Sequence, residues 1–94
     1  MKWSGNMTII CTYDVSEKKC PKYMKILRKY LFHVQKSVFE GNLTPKQFKC
    51  LKEELKKINN EDDSVYFYVC YNEKQLYKYD LDGNLVTDLN VIRD

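Results

Sequence analysis

Two runs, MTIICTYD at 7–14 and SVYFYVCY at 64–71, place large or β-branched side chains at consecutive rather than alternate positions. A strand covered on one side alternates apolar and polar residues. A run that is apolar on both faces belongs inside a sheet, with something packed on each side. The first run suits a central buried strand. The second carries aromatics on both faces, so one face packs on helices and the other against something else. The chain has 94 residues, which is enough for one domain over 1–94 and too few for two cores. Such a domain buries only about 60–65% of its unfolded surface, so a partner subunit would add to its stability.

Between the two runs, punctuation residues divide the chain. Pro21 fits the first position of a helix, where its missing N–H costs nothing, and the spacing predicts a helix over about 21–31. Met24, Leu27 and Leu31, flanked by Tyr23 and Tyr30, form its inner stripe. The run FHVQKSVFEG at 32–41 cannot be one straight strand, because Phe32 and Phe39 would point to opposite faces. A tight hairpin about Lys36–Ser37 resolves this, with Val34 opposite Phe39 and His33 opposite Glu40. Glu40, Gly41 and Asn42 then read as a corner, since glycine and asparagine tolerate positive φ where a strand exits. The second helix has the clearest start. Thr44 caps it, Pro45 takes its first position, Gln47 closes a capping box, and Leu43 and Phe48 are spaced as a hydrophobic staple. Phe48, Leu51, Leu55 and Ile58 continue one stripe up to Asn59–Asn60.

The tail LYKYDLDGNLVTDL at 76–89 alternates on either side of Asp82–Gly83, the pattern of a further hairpin or an extended arm. The element order is therefore β-α-β-β-α-β over a core of about 7–71, with a docking arm over about 76–94. Two helices covering one face of a four-stranded antiparallel sheet make an α+β, ferredoxin-like sandwich with an additional C-terminal strand or hairpin. That scaffold is widely reused and assigns no function by itself.

The charge is unevenly spread. Residues 17–36 hold seven Lys/Arg against one Glu, whereas 44–63 are balanced at five each and 71–94 carry three basic and five acidic groups. Lys18, Lys19, Lys22, Lys25, Lys29 and Lys36 are thus candidate phosphate contacts, because a concentrated positive segment suits a polyanion. Their plain alternative is a solvated helix face. Four cysteines (Cys11, Cys20, Cys50 and Cys70) show no C-x-x-C spacing, and one histidine cannot complete a zinc pattern, so the thiols read as reduced and structural. No apolar run is long enough to span a membrane, and no signal-peptide pattern appears, so the expected place is the cytoplasm.

YDVS at 13–16, a basic helix, HVQKSVFEGNLT at 33–44 and DDSVYFYV at 62–69, in that order, resemble the small CRISPR-associated adaptation protein family Cas-two. The resemblance covers about residues 7–71. It implies a homodimer in which the C-terminal strand docks on the partner's sheet. It also implies spacer acquisition beside the Cas-one integrase, in antiviral defence, and magnesium-dependent endonuclease cleavage of phosphodiester bonds in some members. Duplex DNA and single-stranded RNA are the implied nucleic acids. The family's metal-binding aspartate falls on Asp14, the implied catalytic and metal residue. Two positions depart from the family pattern: Cys20 stands where a basic residue is common, and His33 where an arginine precedes VQ.

Taken alone, Asp14 has an ordinary explanation as an Asx turn leading into the loop. One carboxylate binds magnesium poorly, but a two-fold axis near the strand end would supply Asp14 from both subunits. Two other readings stand beside this one. A dimer could be a non-catalytic scaffold that bridges integrase units and holds duplex DNA. An RNA-binding module of the same fold would need a Gly/aromatic strand signature, which SVYFYVCY lacks. The tyrosine periodicity favours packing over base stacking, and His33 is best explained by structural pairing with Glu40.

Overall fold

In the computed structural model, which describes residues 6–72 and 75–88, β1 (Met7–Asp14) is flanked on both sides by longer-range partners. After it come α1 (Cys20–Leu27), β2 (Phe32–Gln35), β3 (Val38–Leu43), α2 (Pro45–Lys56), β4 (Ser64–Asn72), β5 (Gln75–Asp80) and β6 (Leu85–Asp88). The strands lie in the order β2-β3-β1-β4-β5-β6, with every neighbouring pair antiparallel. The first four strands and two helices make the ferredoxin-like arrangement, and β5 and β6 extend the sheet beyond β4. MTIICTYD is central, as its two-faced apolar character requires.

Along β1, Met7, Ile9, Cys11 and Tyr13 are buried, whereas Thr8 and Asp14 are exposed. The buried set meets Phe39 and Leu43 of β3, Val65, Phe67 and Val69 of β4, and the inner stripes of both helices. Tyr13 stacks on Tyr23 of α1 at 5.7 Å, and Phe48 of α2 meets Phe67 edge-on at 5.0 Å. Both helices therefore cover the same face. The other face carries rows such as Phe32–Glu40–Ile10–Tyr68–Lys78, and Phe32 is 76% exposed there.

The second helix begins as its sequence dictates. The Thr44 hydroxyl accepts from the Gln47 N–H at 3.2 Å, and the Thr44 N–H donates to the Gln47 side chain at 2.9 Å. The first helix is shorter than 21–31. It starts at Cys20 and its regular part ends at Leu27, after which the Lys29 and Tyr30 N–H groups bond i−3 carbonyls in a tightened last turn.

Two local expectations are corrected. The hairpin turns at Lys36–Ser37 with Gln35 opposite Val38, but a bulge between His33 and Gln35 shifts the remaining register by one. His33 therefore pairs with Phe39, stacking on its ring at 4.6 Å, and Glu40 pairs with Phe32. The shift keeps Phe39 inside and Glu40 outside while Ser37 takes φ 62°, a left-handed value that Lys-Ser does not favour. The second correction concerns Glu40-Gly41-Asn42, which is not a corner, since β3 runs through it to Leu43. Gly41 has no positive φ. A side chain there would come within 3.0 Å of Leu31 Cδ2, so closeness to the end of α1, not backbone freedom, explains the glycine.

The tail forms a hairpin, β5 to β6, around Gly83 at φ 91°. Its inner strand pairs with β4 of the same chain, and β6 is the outer edge. The last part of the expected docking arm, 89–94, lies outside the described residues. All four cysteines are free thiols. Among the described residues, no helix is long and apolar enough to cross a membrane.

Candidate functional site

Asp14 is the last residue of β1, paired in register with Ser64. Its alternation places it on the sheet face away from the helices, with Thr12 and Thr8. It opens into a shallow pocket of about 290 Å³ walled by Thr12, Tyr13, Ser64 and Tyr66. Among the described residues no group donates a hydrogen bond to its carboxylate, so the Asx-turn explanation finds no support. The following turn is held instead by the Lys19 N–H bonding the Ser16 carbonyl at 2.9 Å.

Two other carboxylates of the fold, Asp63 and Glu54, are already engaged. Asp63, just before β4, accepts from Lys19 Nζ, from the Tyr23 hydroxyl at 2.8 Å and from the Asn60 N–H at 3.1 Å. Burial pushes the Asp63 carboxyl up, but the bonds from Lys19, Tyr23 and Asn60 outweigh it and hold it below its ordinary value. On Tyr23 the effect is reversed: burial, with the neighbouring Asp63, pushes its hydroxyl up to about 12 although Asn59 donates to it. Glu54 of α2 accepts from Lys29 and Tyr30, which keeps its carboxyl below the usual range.

These pairs divide the candidate lysines. Lys19 is ion-paired with Asp63 and Lys29 with Glu54, so both tie α1 to the α2 side of the fold. Lys18, Lys22, Lys25 and Lys36 are exposed, and among the described residues none of the four has an acidic partner. Lys22 and Lys25 are on α1, Lys18 precedes it, and Lys36 sits on the β2–β3 turn. The sequence reading passed over Arg28, an exposed cation at the end of α1, although it belongs to the same basic run. It also missed Asp63, which nothing distinguishes from its neighbours Glu61 and Asp62 before folding.

The tyrosines divide as well. Tyr13 and Tyr23 are core residues. Tyr66 and Tyr68 lie on the face opposite the helices, where Lys78 Nζ sits 4.5 Å and 5.4 Å from their ring centres, close enough for cation–π attraction.

Metal donors on one chain are sparse. Among the described residues no three His, Cys, Asp or Glu side chains gather into a metal site. Asp14 with the hydroxyls of Ser64, Thr12 and Tyr66 offers hard oxygen atoms and one carboxylate. That set suits magnesium, which binds through one or two carboxylates and completes its shell with water and phosphate oxygens. It does not suit a metal that needs sulfur or nitrogen.

Fold and site together define a small ferredoxin-like domain with an open carboxylate at its central strand end and a basic first helix. The family model described as CRISPR associated protein Cas2 matches residues 7–78. The chain is 48% identical over 69 residues to the CRISPR-associated endoribonuclease Cas2 of Thermotoga maritima, covering 72% of this chain and 79% of that protein. It is 36% identical over 87 residues to the protein of the same name from Methanosarcina acetivorans, covering 92% of this chain and 100% of that one. A crystal structure of cas2 superposes with a TM-score of 0.69 at 35% identity, covering 95% of this chain and 88% of the other. The chain belongs to the Cas2 family, as its YDVS, HVQKSVFEGNLT and DDSVYFYV segments indicated.

Proposed function

We propose that this chain acts as a homodimeric, magnesium-dependent nuclease on phosphodiester bonds, its two Asp14 carboxylates meeting near a two-fold axis. We place it in CRISPR spacer acquisition beside the Cas-one integrase. The observation that carries this reading is the state of Asp14. In a chain whose Asp63 and Glu54 are both tied to lysines, the carboxylate at the central strand end is exposed, and no group among the described residues bonds it. The family supports the reading, since its members quoted above carry the name endoribonuclease.

A magnesium ion bound there would polarise a phosphoryl oxygen and lower the pKa of a bound water. The chain's own residues do the remaining work. Asp14 of each copy supplies one carboxylate ligand. Lys18, Lys22, Lys25 and Lys36 hold the phosphates, positioning the strand without reading its sequence. Lys19 and Lys29 contribute by fixing α1 against the end of α2 and the start of β4.

Asp14→Asn keeps the side-chain shape and removes one charge per copy. Magnesium-dependent cleavage of RNA or DNA should fall by orders of magnitude, while nucleic-acid affinity and sedimentation stay as in the parent. Undiminished cleavage by the variant would overturn the metal role. A second reading rests on the one carboxylate that each chain brings to the strand-end pocket and on Lys18, Lys22, Lys25 and Lys36, which have no acidic partner among the described residues: a non-catalytic dimer that bridges integrase units and holds duplex DNA. It gains ground if the purified parent binds duplex but cleaves nothing, and if Asp14→Asn supports spacer acquisition normally.

A further inference from the structure

A cavity of about 410 Å³ opens between the start of α1 and the β2–β3 hairpin, lined by Tyr13, Cys20, Met24, His33, Lys36 and Ser37. Three of these side chains carry metal-donor atoms: the Cys20 thiol, the Met24 thioether and the His33 imidazole. Cys20 and Met24 stand four positions apart on α1, the spacing that puts two side chains one above the other on a single helix face. Both are half-buried and pack against the core. His33 comes from the hairpin. Its pairing with Phe39 turns it to the helix side of the sheet, where its ring lies flat on Phe39, 4.6 Å between centres and 17° between planes.

None of the three donors is committed elsewhere. Among the described residues, neither ring nitrogen of His33 has a hydrogen-bond or ion-pair partner, and the Met24 sulfur has none. Cys20 Sγ reaches only the Val15 carbonyl, at 4.0 Å, a long contact for a weak donor. Such a donor set selects by softness. Magnesium and calcium take oxygen ligands, and no carboxylate lines this cavity. Structural zinc is held by four Cys, His or carboxylate side chains, and among the described residues no third such group joins Cys20 and His33. Thiolate and thioether together favour copper(I). Charge points the same way. One thiolate cancels the single charge of copper(I), whereas a divalent ion would leave a net charge in a largely apolar cavity with Lys36 at its rim.

We propose that Cys20, Met24 and His33 form a binding site for copper(I). The Cys20 thiol releases its proton to solvent and binds as the thiolate, while the Met24 sulfur and one His33 nitrogen donate lone pairs. The metal stays copper(I) throughout, so no oxidant or reductant takes part. The site owes nothing to the nuclease reading, because Asp14 lies on the other face of the sheet and offers oxygen. An ion held by α1 and by the edge strand β2 braces the start of the basic helix against the hairpin. Because the three donors meet only in the folded chain, binding also raises the melting temperature.

Anaerobic titration of the full-length, reduced protein with copper(I), against a chromogenic copper(I) chelator, measures this directly. The parent should withhold one equivalent from the chelator and melt at a higher temperature once loaded. Cys20→Ser should lose that equivalent and the thermal shift with it. Met24→Leu preserves apolar volume and His33→Phe preserves a ring on Phe39, so each removes a donor and little else. Each should weaken binding at least about tenfold, since even an outer partner of a metal ligand is worth that much. Cys50→Ser, at an exposed thiol on α2, should change nothing. X-ray absorption at the copper edge should show two sulfur atoms and one nitrogen, and melts of the metal-free variants check that all four fold. Failure of the parent to retain an equivalent would overturn the proposal, as would full affinity in Cys20→Ser, in Met24→Leu or in His33→Phe. An equivalent lost with Cys50→Ser instead would show adventitious binding at a surface thiol only, and would overturn it equally.

Discussion

At the scale of single residues, Asp63 and Asp14 differ in their surroundings, the one closed off and bonded, the other exposed at a strand end. Asp63 is almost closed off, with its side chain only 4% exposed, and is bonded by two side chains and one N–H. Its folded pKa lies below the ordinary 3.8. A depressed carboxyl adds stability that is fully present above the unfolded value and is lost as pH falls through the lower folded one. Asp63→Asn should therefore melt below the parent at neutral pH, by about 4–8 °C if about 1 kcal/mol is lost in a domain of this size. The gap should narrow as pH falls below the ordinary 3.8, and a gap independent of pH would show that charge plays no part. The sequence could not single out this residue. Its partners Lys19 and Tyr23 are 44 and 40 positions away, and only folding brings them together. The place of Asp14 at the end of β1 was legible because a strand-ending aspartate is a local feature.

At the scale of elements, signals that lie within a few residues read correctly and those that depend on register did not. The start of α2 is written in Thr44, Pro45 and Gln47, and the structure reproduces that capping box. The β2–β3 turn was placed correctly, yet Lys-Ser fixes no unique pairing, so the bulge beside Val34 and the His33–Phe39 stack appeared only in the fold. The basic segment is intermediate. Its charge was evident, but which lysines are spent on Asp63 and Glu54 was not. This division yields a test. Replacing Lys18, Lys22 and Lys25 with Glu should weaken binding to all sequences alike. The log–log salt slope should flatten by about 0.9 per lost duplex contact, or about 0.7 on a single strand. Replacing Lys19 and Lys29 with Gln should lower the melting temperature more than the affinity. Equal effects from both sets would return the lysines to a uniformly solvated face.

At the scale of the whole molecule, both helices cover one face of the sheet, and no element among the described residues covers the other. Phe32 is 76% exposed on the other side, in line with Ile10 and Tyr68, and a second copy would bury it. Sedimentation at micromolar concentration should give about twice the chain mass of 11.3 kDa. Phe32→Glu should shift the species toward the monomer, and a parent that is already monomeric would remove the shared Asp14 site. The strand order has a further consequence for how the protein is made. Among the described strands β1 is the first to be synthesised, but Thr8 pairs with Asn42 on one side and Cys70 on the other. A nascent chain on the ribosome holds β1 as an open edge until β4 has emerged, and such distant pairings form slowly. Ser64, the register partner of Asp14, arrives with that same strand. Stalled or truncated translation products that end before β4 would therefore expose an apolar strand without assembling the pocket beside Asp14, leaving them open to aggregation and proteolysis.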